Sequence, residues 1–162
     1  MKIYCLAIIF LVAGCNQSEN ETKNLKARVD SLQQKMDNTY KPGFGEFMSG
    51  IQVHHAKLWF AGINSNWELA DFEIHEIIEA LENLQKFQAE RKETKSLTML
   101  NPALDSMNNA IQQKDLALFK SSYTLLTATC NKCHNAVDFS FNEVTIPEAP
   151  PFSNQSFKKA GK

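Results

Sequence analysis

Apolar positions recur at helical spacing along most of this chain, and no stretch shows the strict alternation of a half-buried strand. The spacing predicts a first helix from about Gly45 to Ala61, with Phe44, Phe47, Met48, Ile51, His55, Leu58 and Trp59 on one face and Gly62 as its stop. A second helix is predicted after the N-cap Asn66, running to about Glu93, with an inner stripe of Trp67, Ala70, Ile74, Ile77, Ile78, Leu81 and Leu84. Acids crowd its start and basic residues its end, which suits the helix dipole. Asn101 as cap and Pro102 at the first helical position open a third helix, with Leu104, Met107 and Ile111 inward. Asp115 caps a fourth, with Leu116, Phe119, Tyr123, Leu126 and Cys130 inward. The links are short, so neighbours should be antiparallel. The expected fold is all-α: an antiparallel up-down-up-down four-helix bundle over residues 43–137, followed by an extended tail over 138–162. That tail is rich in aromatics and proline, which bars a long helix, and its apolar residues should fold back on the bundle.

The N-terminal part is organised differently. Met1 and Lys2 precede an apolar run from Ile3 to Gly14, then Cys15. A positive start, a short apolar run and small residues before a cysteine read as an export signal over 1–14, too short to span a bilayer. Val12-Ala13-Gly14-Cys15 resembles the lipobox of bacterial lipoproteins, which implies cleavage before Cys15 and a lipid on it. The alternative is an ordinary secretory signal that happens to contain a cysteine. Residues 15–42 would then be a tether. Asn16–Asn24 is polar and expected to be disordered, whereas Leu25, Val29, Leu32 and Met36 recur as a short heptad-like seam. The seam reads as a semi-helical spacer or as a site of homo-oligomer formation. Lys41-Pro42-Gly43 ends it.

The strongest chemical signal is the run Cys130-Asn131-Lys132-Cys133-His134. This CxxCH pattern places two thiols to meet the two vinyl groups of one haem, with the following histidine as proximal iron ligand. A redox dithiol would belong at a helix start after a strand, and a structural zinc would need four ligands; neither context is present. The cysteines divide without remainder: Cys5 lies in the export signal, Cys15 would take lipid, and Cys130 and Cys133 would take haem c. No disulfide is expected. The formal net charge of −1, with no basic stripe, argues against nucleic acid as a partner.

An exported helical bundle with CxxCH near the end of its last helix resembles the cytochrome c-prime superfamily. The resemblance covers about residues 43–137, as a lipoprotein-type, monohaem member with an added tail. Ile51–Gly62 with Asn66-Trp67, and Cys130–Phe141 with the Pro-Phe-Ser-Asn-Gln ending, are also similar to a group of bacterial proteins carrying both CxxCH and this tail. The resemblance implies a c-type cytochrome of the bacterial cell envelope, lipid-anchored and facing the periplasm or the exterior. It would be an electron carrier rather than an enzyme. Its redox partner would be a membrane respiratory complex or a periplasmic reductase or oxidase.

The sixth iron position separates the alternatives. At 100° per residue, His55 is the most inward polar residue of the first helix, with Met48 about 60° from the buried direction on the same side and His54 about 60° to the other. His55 is the expected distal ligand, with a carbonyl or haem propionate as its other possible partner, and Met48 is the alternative ligand. A vacant or weakly held position would instead suit a protein that binds nitric oxide or carbon monoxide. A peroxidase would need an acid–base residue at an open site, for which His55 or His54 could serve, but no arginine accompanies them in the first helix. His75 and the acids Asp71, Glu73, Glu76, Glu79 and Glu82 read as a solvated face, with docking of a basic partner as the sharper option. Lys57 and Lys132 are candidates for pairing with a propionate, and Trp59 and Trp67 for packing around haem and core.

Overall fold

The computed structural model describes residues 2–40 and 42–159, and for residues 2–18 and Asp37 the backbone alone. The chain divides between Lys41 and Pro42 into two compact units. The first contains helix α1 (Lys2–Asp37). This helix runs through Asn16–Asn24, which polarity had suggested would be disordered. Glu19, Glu21 and Lys23 are good helix formers, so the stretch propagates helix instead of breaking it. Leu25, Val29, Leu32 and Met36 are all exposed along α1. The lipidation reading of Cys15 concerns a side chain outside the described set. Among the described residues no helix is long and apolar enough to cross a membrane.

The second unit holds α2 (Phe44–Ile63), α3 (Trp67–Phe87), the single turn α4 (Lys92–Lys95), a 3-10 turn (Leu97–Leu100), α5 (Asn101–Gln113) and α6 (Leu116–Ala136). Among the described residues there is no strand, so the fold is all-α as expected. Helix α2 packs on α3, α3 on α5, α5 on α6, and α6 on α2. The predicted stripes supply the core, which includes Leu58, Ile74, Leu84, Met107, Phe119 and Tyr123. Asn66 and Asp115 cap as predicted: Asn66 Oδ1 accepts from the Leu69 amide, and Asp115 Oδ1 from those of Ala117 and Leu118.

Three boundaries differ from expectation. Helix α3 ends at Phe87 rather than near Glu93, because its apolar stripe stops at Leu84 and polar side chains then take over the backbone. Thr94 donates to the Gln88 carbonyl at 2.7 Å, and Gln88 Nε2 donates to the Pro42 carbonyl at 3.0 Å. Asn101 is not a cap but already helical, since burial of Leu97 and Leu100 draws the preceding turn into line with α5. Pro102 does sit in the first turn. Gly62 does not stop α2, which continues to Ile63. The chain reverses at Ser65, in a left-handed conformation, with Asn66 N donating to Ala61 O and Ser65 N to Gly62 O. Gly62 has another role: a Cβ there would overlap the tip of the Phe119 ring.

The tail folds back on the helices. Phe157 is buried, 5.7 Å from the ring of Phe60, and its carbonyl accepts from the Asn66 side chain.

Candidate functional site

The last turns of α6 carry Cys130, half-buried, and Cys133, buried. Both line a cavity of about 270 Å³, together with His134. Helix α2 contributes Met48, Ile51 and His55 to its wall, α3 contributes Ile77 and Leu81, and the 3-10 turn contributes Leu97 and Leu100. Val137 at the end of α6, with Phe139 and Val144 of the tail, closes another side. The structure therefore brings all five haem-site residues predicted from sequence to one cavity.

Neither thiol is paired in a disulfide. Burial, reinforced by nearby Cys133, pushes the Cys130 thiol up to about 12, and burial also raises Cys133. These are neutral thiols rather than the activated thiolates of a redox dithiol. Among the described residues, no cluster of three or more His, Cys, Asp or Glu is arranged to hold a metal ion.

His134 is oriented by the tail. Its Nδ1 lies 2.6 Å from the Asn142 carbonyl, and a carbonyl only accepts, so Nδ1 carries a proton, which in the neutral ring leaves the lone pair on Nε2. A metal-ligating histidine needs that tautomer. The carbonyl arrives there because α6 ends in a tight reversal at Asp138, whose φ is 69°. Phe139 N donates to His134 O at 2.8 Å and Asp138 N to Asn135 O at 3.4 Å. Beyond the turn, Asn131 brackets Val144: its Nδ2 donates to the Val144 carbonyl and its Oδ1 accepts from the Val144 amide, both at 2.8 Å.

His55 is buried as expected, but both of its nitrogens already have protein partners. Nε2 lies 2.9 Å from Thr127 Oγ1, and Nδ1 lies 2.9 Å from the Tyr123 hydroxyl. Thr127 in turn lies 2.9 Å from the Tyr123 carbonyl as a donor. With that proton committed, Nε2–H donates to Thr127 and the Tyr123 hydroxyl donates to Nδ1 or to the His55 carbonyl. Sequence reasoning found the burial of His55 and the inward Tyr123 but not this pairing across two helices. Met48 is half-buried on the same wall, one face of it on the cavity.

Burial lowers His55 from 6.5 to about 4. The folded chain therefore prefers neutral imidazole. The stabilisation is fully present above pH 6.5 and declines as pH falls toward 4, by up to about 3 kcal/mol. Urea unfolding of the haem-free chain at pH 7.5 and at pH 4.5 should show that loss, and His55→Gln should lose less across the same interval. An equal pH slope in both proteins would contradict it.

Several other expectations change. Glu73 is not on a solvated face but fully buried, at the third position after Ala70 and the fourth before Ile77, hence inside the apolar stripe. That spacing was the signal available in the sequence. Its carboxylate meets His54 Nδ1 at 2.7 Å and forms an ion pair with Lys57 Nζ at 3.4 Å, which leaves Lys57 beside Glu73 and off the cavity lining. Trp59 and Trp67 pack on Phe119 in the core and do not line the cavity. His75 is exposed as expected, with Nδ1 2.7 Å from the Asp71 carbonyl. Arg91 and Glu93, which sequence reasoning passed over, stand at the cavity wall. Their two hydrogen bonds, at 2.8 and 3.2 Å, hold the Glu93 carboxyl at about 2, and the guanidinium lies 5.2 Å from the centre of the Phe44 ring.

No family model, curated protein or solved structure matches this chain. The donor set must therefore be judged by its own chemistry. A c-type haem requires two thiols on one helix end, an imidazole beside them with Nε2 free, and an apolar enclosure. The cavity meets each of these requirements.

Proposed function

We propose that the chain is a monohaem c-type cytochrome that carries single electrons in the bacterial cell envelope. The observation that carries this reading is the His134 tautomer, fixed by the Asn142 carbonyl, in a cavity that also receives Cys130 and Cys133. The two thiols would hold haem c by thioether bonds, and His134 Nε2 would serve as proximal ligand. Bound there, haem would supply reversible one-electron chemistry at its iron. The apolar wall would exclude water and set the potential. Arg91, on the cavity wall, could pair with a propionate, although Glu93 already engages it.

For the sixth position, His55 would have to give up its bond to Thr127. Met48 lines the same cavity without such a commitment, so His134/Met48 ligation fits the wall better than two histidines. The engagement of both His55 nitrogens also favours a second reading, an open or weakly held position that binds nitric oxide or carbon monoxide.

The apolar run and Cys15 support lipid anchoring with the helical unit facing the periplasm or exterior. The partner would be a membrane respiratory complex or a periplasmic reductase or oxidase. The exposed α1 seam supports pairing with a second copy, its heptad setting Glu21 of one chain against Lys26 of the other.

The test is expression with haem-attachment machinery, followed by optical and paramagnetic resonance spectra of wild type, Met48→Ala and His55→Ala. Covalent, low-spin ferric haem that turns high-spin in Met48→Ala is the expected result. A high-spin wild type that takes up carbon monoxide readily moves the reading to gas binding. A chain that never acquires covalent haem ends it.

A further inference from the structure

The geometry points to Asn131, one of the two variable residues inside the Cys130–His134 run, as the positioning residue that sets the proximal histidine. This inference rests on the reading of the cavity as a haem site. Its basis is a closed set of short contacts at the end of α6. Asn131 makes two reciprocal hydrogen bonds to the backbone of Val144, both at 2.8 Å. That pattern copies a strand pairing with a side chain in place of one strand, and it fixes both direction and register of the tail. Two residues before Val144, the Asn142 carbonyl meets His134 Nδ1 at 2.6 Å. On the other side the segment is held by Phe139 N on the His134 carbonyl, and by Asn142 N on that of Phe139 at 2.9 Å. The segment 139–144 is therefore a short strap fastened at both ends, and the acceptor for His134 hangs between the fastenings.

Phe139 and Val144 also wall the cavity, the Phe139 and Phe141 rings lie 5.5 Å apart and Lys92 pairs with Asp138 at 2.8 Å, but the hydrogen bonds that fix the backbone on the Val144 side come from Asn131. Phe141 is strongly exposed, and it belongs to no helix or strand. Asn131 is only half-buried, so its amide is not needed to fill the core. Its contribution is the placement of one carbonyl. A strong bond from Nδ1–H gives an imidazole more donor strength at Nε2, which favours ferric over ferrous iron. Asn131 thus acts on the potential through His134, without lining the cavity itself.

The experiment compares full-length wild type, Asn131→Ala and Asn131→Asp. The midpoint potential of each loaded protein is measured, and the His134 tautomer of each unloaded chain is read from its ring nitrogen shifts. Asn131→Ala is expected to raise the potential, changing the ferrous-to-ferric ratio at a fixed potential about three- to tenfold; tenfold corresponds to about 59 mV for one electron. Asn131→Asp keeps the acceptor for the Val144 amide and should fall between. In the unloaded chain, Asn131→Ala should convert His134 from a single Nδ1–H form to a mixture. An unchanged potential in Asn131→Ala with haem attached, or an unchanged tautomer in the unloaded chain, overturns the inference. Absence of covalent haem in the wild type overturns the haem reading instead, and the tautomer measurement still decides whether Asn131 sets His134.

Discussion

On the haem reading proposed above, serine at both Cys130 and Cys133 should abolish retention of haem through denaturing electrophoresis while leaving the helical unit folded. The two substitutions remove the sulfur nucleophiles and little else. Cys133 Sγ sits 3.9 Å from the Ser96 carbonyl, a long sulfur contact that a serine hydroxyl would not keep. Cys130 is half-buried and keeps no partner of its own that serine would orphan. The cost to the apo fold should be about 1–3 kcal/mol, the range for burying a hydroxyl that finds no partner. Haem staining of denatured protein should fall from one haem per chain to none in the double variant, and each single variant should keep haem through its remaining thioether. His134→Ala, by contrast, should keep the thioethers and lose the proximal imidazole, so staining persists while the spectrum changes. Circular dichroism checks that the helices survive. Covalent haem in the double variant would remove the thiols from the site.

Gly62→Ala should destabilise the second unit by about 3 kcal/mol, the upper end of ordinary overpacking. Helix propensity alone argues the other way, since alanine inside a helix is favoured over glycine by up to about 1 kcal/mol. The sign therefore tests the packing directly. An added methyl would overlap the outer carbons of the Phe119 ring. Phe119 is completely buried, with the rings of Trp59, Trp67 and Tyr123 centred 6.3, 5.9 and 6.1 Å away, and has nowhere to turn. Thermal unfolding of the haem-free chain should show a Tm lower by roughly 10–15 °C, given the usual scaling for a domain of this length. Gly62→Ala combined with Phe119→Leu should recover part of the loss. A variant as stable as wild type would show that the two helices move apart without cost.

The limits of sequence reading can be placed residue by residue. The stripes on α2, α3, α5 and α6 were legible because burial imposes a helical period on composition, and Asn66 and Asp115 were legible because an N-cap acts within its own turn. Gly62 was misread because a glycine near a helix end looks the same whether it terminates the helix or admits a ring from another. Glu73 was misread because its exposed neighbours Asp71 and Glu79 masked its place in the stripe; its partners lie on α2. For the site, the two thiols and His134 are local and announced themselves. The burial of His55 followed from its phase on the helix. Its partners, Tyr123 and Thr127, are more than sixty residues away and follow only from how α2 and α6 meet. Asn131 and Asn142 were invisible for the same reason, since a variable position in a motif gives no hint that it holds the tail.

The strap also has a consequence for how the chain is made. Synthesis runs from the N-terminus, so Cys130, Cys133 and His134 emerge before the carbonyl that orients His134. A chain clipped after Phe139 would display the whole attachment run and still lack Asn142 and Val144. Its cavity would lack the Val144 part of its wall, and His134 Nδ1 would lack the Asn142 acceptor, until the rest of the chain had been made.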